Sequence, residues 1–217
     1  MIKFLHLFLV FLISSCCLAH KTQKPIILFN GKNLDSWEGD TSLWRIEQGW
    51  ILAAGDVSVR HSQNDFLCTR KDYKNYILDL DFKLEGDTGF VNSGVQVHSQ
   101  RNKVSPLNEM VGYQVDMGRG YWASIYDETR RNSIIAKADQ DIVKTILHEG
   151  DWNHYQIICS GRRIRILLNG VQTVDYTEPP NEYASQGKIG LQIHGGSRMK
   201  VSFKNIILTP LKPKHHA

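Results

Sequence analysis

The segment Tyr76-Ile-Leu-Asp-Leu-Asp-Phe-Lys-Leu84 decides the fold class. Side chains two apart in an extended chain share a face. Tyr76, Leu78, Leu80, Phe82 and Leu84 therefore make one dry face, while Asp79, Asp81 and Lys83 make a wet one. The same alternation runs from Arg163 to Leu168 and stops at Asn169-Gly170, the dipeptide that best supplies the two positive φ angles of a type I′ hairpin. Val171 to Tyr176 reads as the returning strand, and Met199-Lys-Val-Ser-Phe-Lys204 alternates again before Asn205. From Pro25 onward β-rich runs are punctuated by Gly, Asn and Asp, and helical periodicity is nearly absent. Many antiparallel strands without crossover helices predict an all-β sandwich of two stacked sheets.

The chain of 217 residues, 41% hydrophobic and 22% charged, is long enough for one substantial core and short for two, so one domain is expected over residues 25–211. Its net charge of +4 comes from 26 basic residues scattered among 22 acidic ones, with no basic stripe to track phosphates. Nucleic acid is not an expected partner.

Residues 1–19 have the layout of a secretory signal peptide: Lys3, an apolar run from Phe4 to Ile13, then small residues. The run is too short for a membrane span, which needs about 20 apolar residues. Ile13-Ser-Ser-Cys16 resembles a lipobox, which would lipidate Cys16; ordinary cleavage after Ala19 is the competing site. Either route exports the protein, to the periplasm or, as a lipoprotein, to the outer membrane or cell surface. The only expected membrane contact is that N-terminal lipid. Cys68 and Cys159 remain in the folded part, where an oxidising compartment permits a disulfide, but two separate buried thiols are the preferred reading. No paired Cys/His spacing suggests structural zinc.

Three segments share one grammar: Ser93-Gly-Val-Gln-Val-His98, Val111-Gly-Tyr-Gln-Val-Asp116 and Ile189-Gly-Leu-Gln-Ile-His194. Extended geometry would place Gly94, Gln96 and His98 on one face, likewise Gly112, Gln114 and Asp116, and Gly190, Gln192 and His194. The glycines would leave room for a ligand to approach, and the glutamines offer donors and acceptors to sugar hydroxyls. The loop from Gly118 to Asn132 adds Tyr121, Trp122 and Tyr126 as stacking candidates, Asp127 and Glu128 as acceptors, and Arg130 or Arg131 as donors. Internal Asp–Arg pairing in that loop is the alternative use of Asp127 and Arg131.

Six blocks, LFNGKNLDSW (28–37), LWRIEQGWIL (43–52), NSGVQVHS (92–99), GYQVDMGRGYWASIYDETRRN (112–132), DWNHYQIICSGRRIRILLNG (151–170) and GKIGLQIHGG (187–196), resemble in order those of the 3-keto-disaccharide hydrolase family. The resemblance spans nearly the whole chain after residue 25 and implies a concanavalin A-like jelly roll. It also implies cleavage of glycosides already oxidised to a ketone at carbon 3, through a lyase step at carbons 1 and 2 completed by hydration. The ketone acidifies the proton on carbon 2, so a modest base can remove it. His98 or His194 suits that task because imidazole titrates near neutrality. The enolate then needs a donor or cation, from Arg130, the other histidine or a divalent metal held by His98, Asp116 and His194; the metal question stays open. The Glu-x-Asp-x-x-Glu signature of laminarinase-type β-glucanases, which share the jelly roll, does not occur. The expectation is thus a carbohydrate-active enzyme with His98, Asp116 and His194 as catalytic residues. Gln96, Gln114, Trp122, Tyr126, Glu128, Arg130 and Gln192 are its expected substrate contacts, and a non-catalytic carbohydrate-binding module is the alternative.

The lipobox reading predicts that Cys16→Ala releases the protein from the membrane fraction; a mature wild-type protein starting, unlipidated, at His20 would sink it.

Overall fold

The structure, a computed structural model, describes residues 23–55, 63–102, 109–180, 183 and 185–212. The expected signal segment 1–19 and Cys16 lie outside the described residues. In chain order the elements are β1 (Ile26–Ile27), β2 (Trp37–Glu38), β3 (Trp44–Glu47), β4 (Trp50–Gly55), β5 (Asp65–Thr69), β6 (Tyr76–Thr88), β7 (Asn92–Arg101), β8 (Met110–Gly118), β9 (Ile125–Glu128) and β10 (Ser133–Ala136). A helix α1 (Gln140–Ile146) follows, then β11 (Asn153–Ser160), β12 (Arg163–Leu168), β13 (Val171–Thr177), β14 (Lys188–Ile193) and β15 (Arg198–Pro210). The helix is the one departure from an all-strand reading: Asp139 caps it by accepting from the amides of Asp141 and Ile142.

Two antiparallel sheets result. One runs β13-β12-β11-β6-β15-β4-β3 with β1 added to β15, and the other runs β10-β9-β8-β7-β14-β5-β2. The all-β, two-sheet expectation holds, and the Asn169-Gly170 hairpin has the two positive φ angles its turn requires, 49° and 84°. Both cysteines are free and buried, so no disulfide ties the sheets.

The core lies between the inner faces. Leu78, Leu80 and Phe82 of β6 are fully buried, as are Ile157 of β11, Phe203 of β15, Val95 and Val97 of β7, Val115 of β8 and Leu191 of β14. Phe82 is its aromatic centre, 4.4 Å from the Tyr155 ring and stacked at 6.2 Å on Trp122. The Tyr155 hydroxyl donates to the Asp116 carbonyl at 2.7 Å and accepts from the Ala123 amide at 3.0 Å. A side chain of one sheet thereby pins the β8–β9 turn of the other.

Phe82→Ala would remove the shared neighbour of Trp122 and Tyr155 and leave a cavity, with an expected loss of about 3–5 kcal/mol. Urea denaturation followed by circular dichroism measures it; a loss below about 1 kcal/mol would mean the two rings close over the gap.

Candidate functional site

The outer face of the β7–β8–β14 sheet carries a buried relay of amides. Ser99 Oγ donates to Gln96 Oε1 at 2.6 Å, and Gln96 Nε2 donates to Gln114 Oε1 at 2.9 Å. Both hydrogens of Gln114 Nε2 are thereby committed onward, to Asp116 Oδ1 at 2.9 Å and Gln192 Oε1 at 3.1 Å. Because Gln114 pairs across the ladder with both Gln96 and Tyr126, three adjacent strands meet at its position.

The glycines serve this relay rather than a ligand. A Cβ at Gly94 would stand 2.5 Å from Gln114 Cγ, and one at Gly112, where φ is +152°, would stand 2.1 Å from Ser99 Oγ. The expected room for a sugar is filled by the protein's own side chains.

The grammar fails at His98. Ladder pairing passes from Val97–Tyr113 to Gln100–Val111, so His98 and Ser99 together oppose Gly112 in a β-bulge, with His98 at φ 49°. The extra residue turns Ser99 toward Gln96 and sends the His98 ring the other way, edge-on to Tyr76 at 5.7 Å. Its Nε2 donates to the Lys74 carbonyl at 2.7 Å, and burial pulls its pKa down to about 4. His98 is a neutral buried residue away from the site, so the expected trio of His98, Asp116 and His194 is not assembled. Among the described residues no group of three or more His, Cys, Asp and Glu side chains is placed to hold a metal ion.

Two further expectations are corrected. Arg130 lies between the rings of Tyr113 and Tyr183, 4.3 and 4.0 Å from their centroids, and pairs with Asp127 at 2.6 Å. Tyr113 and Asp127 belong to the face opposite Gln114, so Arg130 cannot reach the amide relay. Arg131 bridges Asp127 at 3.0 Å and Glu178 at 2.6 Å, which is the internal pairing weighed as the alternative. Trp122 is a core residue, 8% exposed on Phe82, and is not the open platform expected.

Gln96 is fully buried, its amide taken up by Ser99 and Gln114, and does not reach the cavity on which the other six expected residues converge. Gln114, Asp116, Tyr126, Glu128, Gln192 and His194 line one cavity of about 130 Å³. Asn64, Phe90, Asn92 and Tyr121 complete it. Of these four, only Tyr121 stood in the aromatic loop that the sequence singled out. Asn92 opens the Ser93–His98 block and was legible as its first polar residue, but Phe90 and Asn64 carry no periodic signal.

Among the described residues, two acids in this cavity have no cation paired with them. Asp116 is 2% exposed, and burial holds its carboxyl well above the usual range against the opposing Gln114 hydrogen bond and with the help of the Glu128 charge. Its Oδ2 is buried with no hydrogen-bond partner among the described residues. Burial, then the charges of Glu109 and Asp127, push Glu128 up to about 7. His194 places Nδ1 2.7 Å from the Gly195 carbonyl, which can only accept; Nδ1 therefore carries the hydrogen and Nε2 keeps its lone pair. Burial lowers the His194 pKa, keeping the ring neutral at pH 7.

This geometry is that of a jelly roll of the glucanase and lectin type, and solved structures agree. A protein from Parabacteroides distasonis, provisionally assigned as a glycosyl hydrolase, superposes with TM-score 0.65 at 22% identity over 87% of this chain and 94% of its own. A β-glucanase from Bacillus licheniformis (TM-score 0.56, 11% identity, 86% and 96% covered) has the same fold. So does a carbohydrate-binding module from Bacillus subtilis (TM-score 0.57, 15% identity, 79% and 93% covered). No curated protein sequence matches. Residues 24–209 match the family model described as a 3-keto-alpha-glucoside-1,2-lyase-like domain, and the chain belongs to that family.

The raised Glu128 pKa has a stability consequence. Between its unfolded value near 4.5 and its folded value of about 7, the folded state keeps a proton that the unfolded state releases, so stability is lost as pH rises through that window. Glu128→Gln cannot ionise and should be more stable than wild type above pH 7, by at most about 3 kcal/mol at 1.36 kcal/mol per pKa unit, with no difference at pH 4. Thermal melts at pH 4 and 8 decide; a variant less stable at pH 8 would show that the Glu128 carboxylate is favourably bound.

Proposed function

We propose that the chain cleaves 3-keto-glycosides by β-elimination, with Glu128 as the base and Asp116 as the acid. The observation that carries this reading is a pair of carboxyl groups in one small cavity, with no cation paired to either among the described residues: one is pushed up to about 7 and the other is raised well above the usual carboxylate range by burial. Binding alone would be served better by neutral amides, because unpaired buried acids cost stability.

In the elimination Glu128 takes the proton from carbon 2, which the neighbouring ketone has acidified. The electron pair forms the carbon 1–carbon 2 double bond, and the carbon 1–oxygen bond breaks. Asp116 gives its proton to the departing oxygen through Oδ2, the atom with no hydrogen-bond partner among the described residues. Hydration runs the roles backward: Asp116 carboxylate takes a proton from water as its oxygen joins carbon 1, and Glu128 returns a proton to carbon 2. His194 Nε2, a neutral acceptor, orients a sugar hydroxyl, and Gln192 stands beside it in the cavity wall. The base role expected for a histidine passes to Glu128 because a pKa of about 7 suits neutral pH better than the lowered His194.

Glu128→Gln and Asp116→Asn should each lower turnover of a 3-keto-glycoside by about 10²–10⁴-fold. His98→Gln, if folded by circular dichroism, should stay near the wild-type rate. Wild-type kcat/KM should rise with pH through about 7 as Glu128 ionises. Full activity in Glu128→Gln, or a collapse confined to His98→Gln, overturns the assignment; tight sugar binding without turnover would leave a binding module.

A further inference from the structure

The acid cavity is too small for more than one sugar ring, since sites for drug-sized ligands occupy roughly 300–1,000 Å³. A second cavity of about 760 Å³ adjoins it, and the two share one wall residue, Phe90. Resting on the elimination reading above, we propose that this larger cavity receives the leaving group, that its preferred occupant is an uncharged sugar ring, and that Phe90 is the platform deciding between such a ring and a small alcohol.

Phe90 is 45% exposed and lines both cavities, so part of its ring is open to a ligand that spans them. Its position is fixed by Gly89, whose φ is +79° and whose Cβ, if present, would stand 2.5 Å from the Gly196 carbonyl oxygen. The turn therefore admits only glycine and presses against the turn after β14, which begins at His194. The ring stands edge-on to His194 at 4.9 Å and to Tyr121 at 5.6 Å, both lining the acid cavity. A sugar that begins at Asp116 thus passes Phe90 on leaving the acid cavity.

The rest of the larger cavity suits a neutral polyol. The edge of Trp122 and the side chain of Val91 give apolar contact, and Gly150, where an added Cβ would meet nothing within 4 Å, leaves its peptide groups open. Every carboxylate in the wall already has a cation: Asp87 with Arg198 at 2.7 Å, Glu85 with Lys83 at 3.2 Å and Lys200 at 3.3 Å, and Glu149 with Arg119 at 3.6 Å. No wall carboxylate among the described residues is left unpaired to select a cationic leaving group.

The test compares a 3-keto-disaccharide with a methyl 3-keto-glycoside in wild type, Phe90→Ala and Phe90→Tyr. The ratio of kcat/KM for the disaccharide over that for the methyl glycoside should fall about tenfold in Phe90→Ala, the scale of one aromatic contact, and recover in Phe90→Tyr. An unchanged ratio overturns the assignment of Phe90, whatever happens to the absolute rates. If wild type turns over neither substrate, the elimination reading fails by itself, and calorimetry with the unoxidised disaccharide and monosaccharide takes over. Disaccharide binding weakened about tenfold in Phe90→Ala, with monosaccharide binding changed less, still supports the second-ring cavity; equal changes, or no disaccharide binding by wild type, overturn it.

Discussion

Everything in this molecule depends on a period of two held against a dry interface. Two sheets press their apolar faces together around Phe82, Tyr155 and Trp122, and each strand must send alternate residues inward. The outward residues of β7, β8 and β14 are then delivered in register to one surface, where Gln96, Gln114 and Gln192 join into a single relay. Chemistry on that surface is a by-product of packing on the other side. The glutamines cannot drift by one residue without putting Val95, Val115 and Leu191 into water.

Neighbouring acids on β9 show how the two faces differ. Asp127, on the core side, is fully buried but has Arg130 and Arg131 within 3.0 Å, so its charge is compensated. Glu128, one residue on, faces the cavity, where the charges nearest it among the described residues are the carboxylates of Glu109 and Asp127. A fold selected for stability alone would pair both. The contrast within one dipeptide locates the part of the protein where stability has been given up, a common mark of sites that work on something else.

The sheet architecture was legible because strand alternation and the Asn169-Gly170 turn act locally, and local rules survive tertiary packing. Much of the site was legible for the same reason: Asp116, Glu128, Gln114, Gln192, Tyr126 and His194 follow their strand faces. His98 did not, because a bulge depends on what lies across the ladder. The sequence offers Gly112 as open space, whereas the fold uses it to admit Ser99. Arg130 was misplaced for want of Tyr183, a partner 53 positions away that no periodicity connects to it. Phe90 escaped notice since a single exposed aromatic beside a glycine matches no pattern until the turn is seen in three dimensions.

The Tyr155 hydroxyl that joins the Asp116 carbonyl to the Ala123 amide has a consequence for how this protein can diversify. It fixes the base of the β8–β9 loop to the opposite sheet, so the backbone beneath the acid cannot shift without disturbing the core. The tip behaves differently: the Arg119 side chain is 92% exposed, and a Cβ at Gly120 would meet nothing within 4 Å. Descendants of this chain can rewrite the rim of the larger cavity while inheriting the floor of the smaller one unaltered.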